Sequence, residues 1–395
     1  MKFLHTADWH LGVKTNGRDR LGEQKKVLDE IVSLANYENI DCVIIAGDVF
    51  NTANPSADAE ELFFDTIEKL SNGGDRFVFV LAGNHDDPTR LSAGLPLASK
   101  HNIALVGDLK KLNEKSFNKN SVVRVIETGR GHIKIQKNEE IVCIAYLPYP
   151  TDSRIDEKIE VDYDGEGEPT YSFKVSNWAE MGASAFNDNE FNIFVSHLFL
   201  VGAKTGDSVV KVGDILAVSA SDLPKANYTA LGHLHRRQEV AENMFYSGAI
   251  SKLSVGEGDL SVMVFESENG KLVSASPVKL SSPARYERVV ANSIQEAEEK
   301  LEEFDDNDII ELQIVSNSLL PASELKALKK NFACISNIVL VKPENQNGEY
   351  SAKGRTLLGD RELFTEFYKS VRGFEPSEET VKMFLDCKGE SDETN

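Results

Sequence analysis

Two histidines separated by one residue, His233 and His235, follow a glycine in the run TALGHLHRRQ. In extended backbone the side-chain period is two, so both imidazoles of an extended GHLH face one way. A core strand gains nothing from that, but a metal site does. More residues of metal-ligating type stand at the ends of other apolar runs. Asp8 and His10 lie in TADWHLG, Asp48 in AGDVF, Asn84 and His85 in AGNHDD, and His197 in FVSH. D-x-H, G-D or H-x-H alone is commonplace and G-N-H-D is more distinctive; the whole ordered set, each member after an apolar strand, points to a dinuclear centre. Asp48 can serve as a single carboxylate bridging two divalent ions ~3.5–4 Å apart. Carboxylate, imidazole and amide donors together suit manganese, iron or zinc better than calcium. Asn84 adds a neutral oxygen, which limits negative charge. Gly47, Gly83 and Gly232, each just before a ligand, are expected to permit tight turns.

The elements that carry these residues follow from periodicity. Strands are expected at 2–8, 41–48 and 76–87, with helices over 22–40 and 57–71 between them. That alternation predicts parallel strands, and loops at their carboxyl ends converge on one crevice. Strand-like runs follow at 121–127, 132–136, 139–150, 191–197, 227–235, 243–250, 260–266 and 271–280, with a helix near 175–188. They predict a second sheet packed on the first, with outer helices. The acidic segment 156–169 reads as a surface loop. LSSPAR at 280–285 marks a boundary. Beyond it, strand, helix, strand, helix and strand over 286–344 predict a small α+β module. A polar linker, 345–355, leads to a helical tail.

Composition bounds the class. The chain has 395 residues, enough for two or three domains. A hydrophobic fraction of 41% and a charged fraction of 27% fit a soluble globular protein. No apolar run approaches the ~18 residues of a membrane span, and MKFLHTADWH lacks a secretory pattern, so a cytoplasmic location is expected. Cys42, Cys143, Cys334 and Cys387 form no CxxC, and reduced thiols are expected. The net charge of −21 argues against a phosphate-binding surface. Bound cations, or a partner's basic surface, change that sign locally.

The ordered set D-x-H, G-D, G-N-H-D, H, G-H-x-H resembles the calcineurin-like metallophosphoesterases. HTADWHLG, GDVFNTANPS, GNHDDPTRL and GHLH resemble most narrowly the nuclease subunits that work with a coiled-coil ATPase in bacteria. The resemblance spans essentially the whole chain. It implies an α/β fold, a four-layer α-β-β-α double β-sandwich over 1–280. It also implies a small capping domain over 281–344 and a linker with a helical tail over 345–395. One metal, most readily Mn(2+), falls to Asp8, His10, Asp48 and His235. The other falls to Asp48, Asn84, His197 and His233. His85 is then no ligand but faces the scissile phosphate as general acid. The implied activity is two-metal hydrolysis of DNA phosphodiesters, as double-strand exonuclease and single-strand or hairpin endonuclease, in repair, recombination and replication.

The resemblance also implies a homodimer formed through residues about 55–100, within a heterotetramer with the ATPase. Leu363, Phe364, Phe367, Tyr368 and Val371 share one face of a tail helix, expected to dock on that partner. Arg236 and Arg237 flank the metal histidines and are candidates for DNA phosphates. Two departures stand out. Asn51 replaces the family's usual Asp, which predicts altered support for His85. GAISKLSVGE, 248–257, differs from the family's loop near the site, which predicts altered substrate fit. A protein phosphatase of the same fold tends to show GDxxDRG and GNHE, where this chain has GDVFNTA and GNHDD. A non-catalytic scaffold has no need of His85 or of the full ligand set.

Overall fold

A computed structural model of the chain describes residues 1–15, 17–110, 112–151, 170–204, 217–253, 257–281, 284–316 and 320–341, with six isolated positions beyond. Contacts divide it into two compact units, Met1–Val341 and Lys342–Asn395. The module expected after 281 belongs with the first unit up to Val341. Leu363, Phe364, Phe367 and Val371 lie outside the described residues; Tyr368 is helical. No described helix is long and apolar enough to cross a membrane.

The first unit is a mixed α/β fold with several sheets. Strands β1 (Lys2–Thr6), β2 (Cys42–Ala46), β3 (Phe77–Leu81) and β4 (Ile103–Val106) pair in parallel. Helices α1 (Leu21–Tyr37) and α2 (Ala57–Ser71) make the crossovers. Ser56 caps α2 by accepting from Ala59 N, and Asn72 ends it in the left-handed region. β4 was not expected from the sequence; its four residues are too few to show a period.

The second sheet holds β5 (Arg124–Gly129), β6 (His132–Lys137), β7 (Glu140–Leu147), β8 (Phe191–His197), β9 (Tyr228–Gly232), β10 (Gln238–Ala241) and β11 (Met244–Tyr246). Their order is β10-β11-β9-β8-β7-β6-β5. β7, β8 and β9 are parallel. Helix α3 (Tyr171–Ala183) packs against β7. It starts four residues before the expected helix because Thr170 caps it at Phe173 N. β12 (Ser261–Glu268) and β13 (Lys271–Lys279) extend the first sheet antiparallel beside β1.

Alternation along the strands decides which face each side chain joins. Phe3, Ile44 and Phe79 from the first sheet share a buried cluster with Ile133, Ile144 and Ile193 from the second. Their neighbours Leu4, Val43 and Val78 face the other way, onto Leu28 and Ile31 of α1 and Phe63 and Ile67 of α2. Both faces of β1–β3 are therefore buried, which explains their unbroken apolar sequences.

The small module forms β14 (Tyr286–Ala291), α4 (Ile294–Leu301), β15 (Ile309–Val315), α5 (Ala322–Asn331) and β16 (Ile335–Val341), with three parallel strands and a core of its own. Buried Asp308 accepts from Arg285 N at 2.7 Å and pairs with the Arg285 guanidinium at 2.8 Å. Arg18 reaches Asp308 O at 2.9 Å, joining the module to the segment before α1. Cys42, Cys143 and Cys334 are buried free thiols.

Candidate metal centre

Five parallel strands from the two sheets end at one place. Asp8 and His10 follow β1, Asp48 follows β2, and Asn84 and His85 follow β3. His197 ends β8, and His233 and His235 follow β9. Main-chain bonds stitch these loops together: Asp8 N to Gly47 O at 3.0 Å, and His10 N to Asp48 O at 3.0 Å. His85 N donates to Asp48 Oδ1 at 2.8 Å, and His233 N to Asp8 Oδ1 at 2.9 Å.

The backbone leaves the strands sharply. Asp8, His10, Asp48 and His233 have φ of 53°, 45°, 51° and 101°. Such values are uncommon outside glycine and cluster at functional sites. His233 therefore does not continue the extended alternation expected of GHLH. Its Nδ1 lies 2.9 Å from Asn84 Oδ1, whereas His235 Nε2 lies 3.2 Å from His10 Nε2. The two histidines reach different groups.

The glycines before the ligands act differently from expectation. Gly47 does turn the chain, at φ 93°. Gly83 and Gly232 have no positive φ. A Cβ on Gly83 would overlap Asp48, and one on Gly232 would overlap Ala46 O and crowd the His197 ring. Close approach, not turning, requires glycine there.

Ligand-type atoms of Asp8, His10 and His235 lie within 4.8 Å of one another, as do those of His10, Asp48 and His85, and of Asp8, Asp48 and His197. Asp8, His10, Asp48 and His197 are buried, Asn84, His233 and His235 are half-buried, and His85 is exposed. With Asn84 Oδ1 beside His197 and His233, all eight expected residues meet at one place, and Asp8, His10 and Asp48 each belong to two of the groups.

The donor chemistry fits a cation. His197 Nδ1 lies 2.8 Å from Ala46 O and must donate to it, so in the neutral ring Nε2 is bare. That nitrogen faces Asn84 Oδ1 at 3.0 Å and Asp48 Oδ2 at 3.3 Å. Three acceptors directed at one another need a proton or a metal ion between them. Without metal the proton takes that place. Burial opposes it, but Asp48 holds the His197 ring up to about 9. Burial likewise opposes ionisation of Asp48, yet His197, His10 and His85 together hold its carboxyl well below the usual range. Burial pushes His10 and His233 down to about 3, so both rings are neutral with lone pairs to give. Burial pushes Asp8 up to about 6, against the pull of His197 and His235.

Several supporting groups escaped the sequence reading. Asp86, fully buried, accepts from Val49 N at 3.1 Å, Phe50 N at 2.9 Å and Gly83 N at 2.8 Å. It was visible in GNHDD as a residue type but not as a brace. His85 Nδ1 lies 2.9 Å from the main-chain oxygen of Asn51. A backbone carbonyl supplies that contact, and the Asn51 side chain takes no part in it. Ala249 N bonds His235 O at 3.0 Å, so the start of the divergent stretch lies against His235. Arg236 and Arg237 are exposed directly beside it.

The family model for calcineurin-like phosphoesterases matches residues 1–237. The chain belongs to the calcineurin-like phosphoesterases, hydrolytic enzymes whose domain uses divalent metal ions. Among curated proteins it is similar to SbcD, the D component of the SbcCD nuclease, from Bacillus subtilis, 34% identical over 98% of this chain and 97% of the relative. The Staphylococcus epidermidis protein of the same name is 28% identical over 94% of this chain and 93% of its own. Within the phosphoesterases the chain therefore falls in the SbcD nuclease family.

Proposed function

We propose that the chain is a manganese-dependent DNA nuclease, the SbcD component of an SbcC–SbcD complex. It acts as double-strand exonuclease and single-strand or hairpin endonuclease in DNA repair, recombination and replication. The cluster of acceptors around His197, Asp48 and Asn84 carries this reading, together with relatives named as nucleases over nearly the whole chain. In it, Asp8, His10, Asp48 and His235 hold one ion, and Asp48, Asn84, His197 and His233 the other. Bound there, the ions supply charge neutralisation for the phosphate and a nucleophilic water near neutral pH. The remaining steps belong to the protein. His85 gives Nδ1–H to Asn51 O, which leaves Nε2 as the ring nitrogen for the substrate. As imidazolium it donates Nε2–H to the leaving oxygen. Arg236 and Arg237 hold flanking phosphates.

At larger scale the reading takes residues 1–280 as a four-layer α-β-β-α nuclease domain, 281–344 as a cap over the DNA path, and 345–395 as a linker and helical tail for SbcC. The two buried clusters flanking β1–β3 support the layers. Exposed Phe64 and Leu97 support a homodimer contact within 55–100, in a cytoplasmic, nucleoid-associated heterotetramer. The test is cleavage of linear duplex DNA by the purified chain with manganese, with magnesium and with EDTA. Cleavage is expected with manganese and lost in Asp48→Ala. His85→Gln is expected to keep both metals and lose about 10²–10⁴ in turnover. Wild-type cleavage by His85→Gln removes it as the acid.

A further inference from the structure

Glu257 closes the stretch GAISKLSVGE beside the site, and its carboxylate turns inward. The side chain is 4% exposed. Oε1 lies 3.2 Å from His235 Nδ1, and Oε2 accepts from Leu253 N at 2.7 Å. Lys252, next to Leu253, is held in its turn. Arg20 is 2% exposed, grips the Glu23 carboxylate at 2.7 and 3.0 Å, and donates to Lys252 O. An ionised carboxylate only accepts, so His235 must donate Nδ1–H to it. In the neutral ring the proton then cannot sit on Nε2, the nitrogen that faces His10 Nε2 across 3.2 Å.

We infer that Glu257 is a positioning residue: it fixes the tautomer and ring direction of His235, so that Nε2 is offered bare to a metal ion. The inference rests on the two-metal reading above. Hydrogen-bonded carboxylates behind metal histidines have this effect elsewhere, and their loss costs about 10–100-fold in metal affinity. The carboxylate is restrained by Leu253 N, whose neighbour Lys252 is in turn held by Arg20. His197 is backed instead by a main-chain oxygen, that of Ala46. His235 is thus backed by a side chain, where His197 is backed by the main chain.

The test is a manganese titration by calorimetry of the full chain, stripped with EDTA, as wild type, Glu257→Ala and Glu257→Gln. Metal-free melting curves of all three are taken alongside. Wild type is expected to take two equivalents. Glu257→Ala is expected to melt close to wild type without metal and to bind one equivalent about 10–100-fold more weakly. Glu257→Gln keeps an oxygen for Nδ1–H and should fall between. Two equivalents at wild-type affinity in Glu257→Ala overturn the inference alone, as does a Gln variant no better than Ala. A wild type that binds no manganese overturns the two-metal reading and the inference with it. If Glu257→Ala does not fold, ¹⁵N histidine spectra of wild type decide: a proton on His235 Nδ1 is expected, and one on Nε2 alone contradicts.

Discussion

Asp86 fixes the distance between two ligand loops by accepting from Val49, Phe50 and Gly83 at once. Asp86→Asn puts an amide NH₂ among these donors and should cost about 1–3 kcal/mol. Chemical unfolding of the metal-free protein reads this directly; an unchanged midpoint would show that the loops need no brace. The residues that converge at the candidate site were legible because metal binding demands particular side chains, and Asp, Asn and His stand at the strand ends. What holds them was less legible. Ala46 and Asn51 act through main-chain carbonyls, which any residue supplies. Glu257 sits 22 positions from His235, and only folding brings them together.

At the scale of elements, the site depends on how β1 in one sheet is set against β9 in the other. His5 joins them. Its Nε2–H donates to Leu231 O at 3.2 Å, and its Nδ1 accepts from Tyr228 O–H at 3.1 Å. The Tyr228 ring stacks on Phe265 at 3.7 Å. Burial pushes His5 down to about 3, although the Leu231 carbonyl pulls the other way. The unfolded chain therefore binds the extra proton first. Stability from this group is complete above pH ~6.5 and falls as pH drops towards 3, by about 2 kcal/mol at pH 5. Metal-free His5→Phe should lose that part of the acid sensitivity, read from urea unfolding at pH 7 and pH 5. An equal loss in the variant would show that His5 does not report on the sheet contact. Strands β1–β3 were legible from their apolar runs between helical periods. The backbone turns at Asp8, His10 and His233 were not, because they place non-glycine residues at positive φ against local preference.

Over the whole molecule, the charge of −21 sits uneasily with a DNA substrate unless the grip comes from elsewhere. In the proposed complex that grip falls to the SbcC partner, and partner contact to the tail. Because Met1–Val341 is compact by itself, deleting 350–395 should leave the metal centre intact. The shortened chain should bind manganese normally and fail to co-purify with SbcC. Undiminished co-purification would place the partner contact elsewhere. The small module's order of strands and helices was legible down to a few residues, because each element is short and bounded by polar turns. Its attachment through Arg18 was not, since Arg18 reads as an ordinary surface charge and its partner is the main-chain oxygen of Asp308.

The central claim is that Asp48 bridges two metal ions. The most direct measurement is electron paramagnetic resonance of the full chain loaded with two equivalents of manganese. The account predicts an exchange-coupled pair in wild type, lost in Asp48→Ala. Two equivalents bound in wild type with only the spectrum of isolated ions would contradict it.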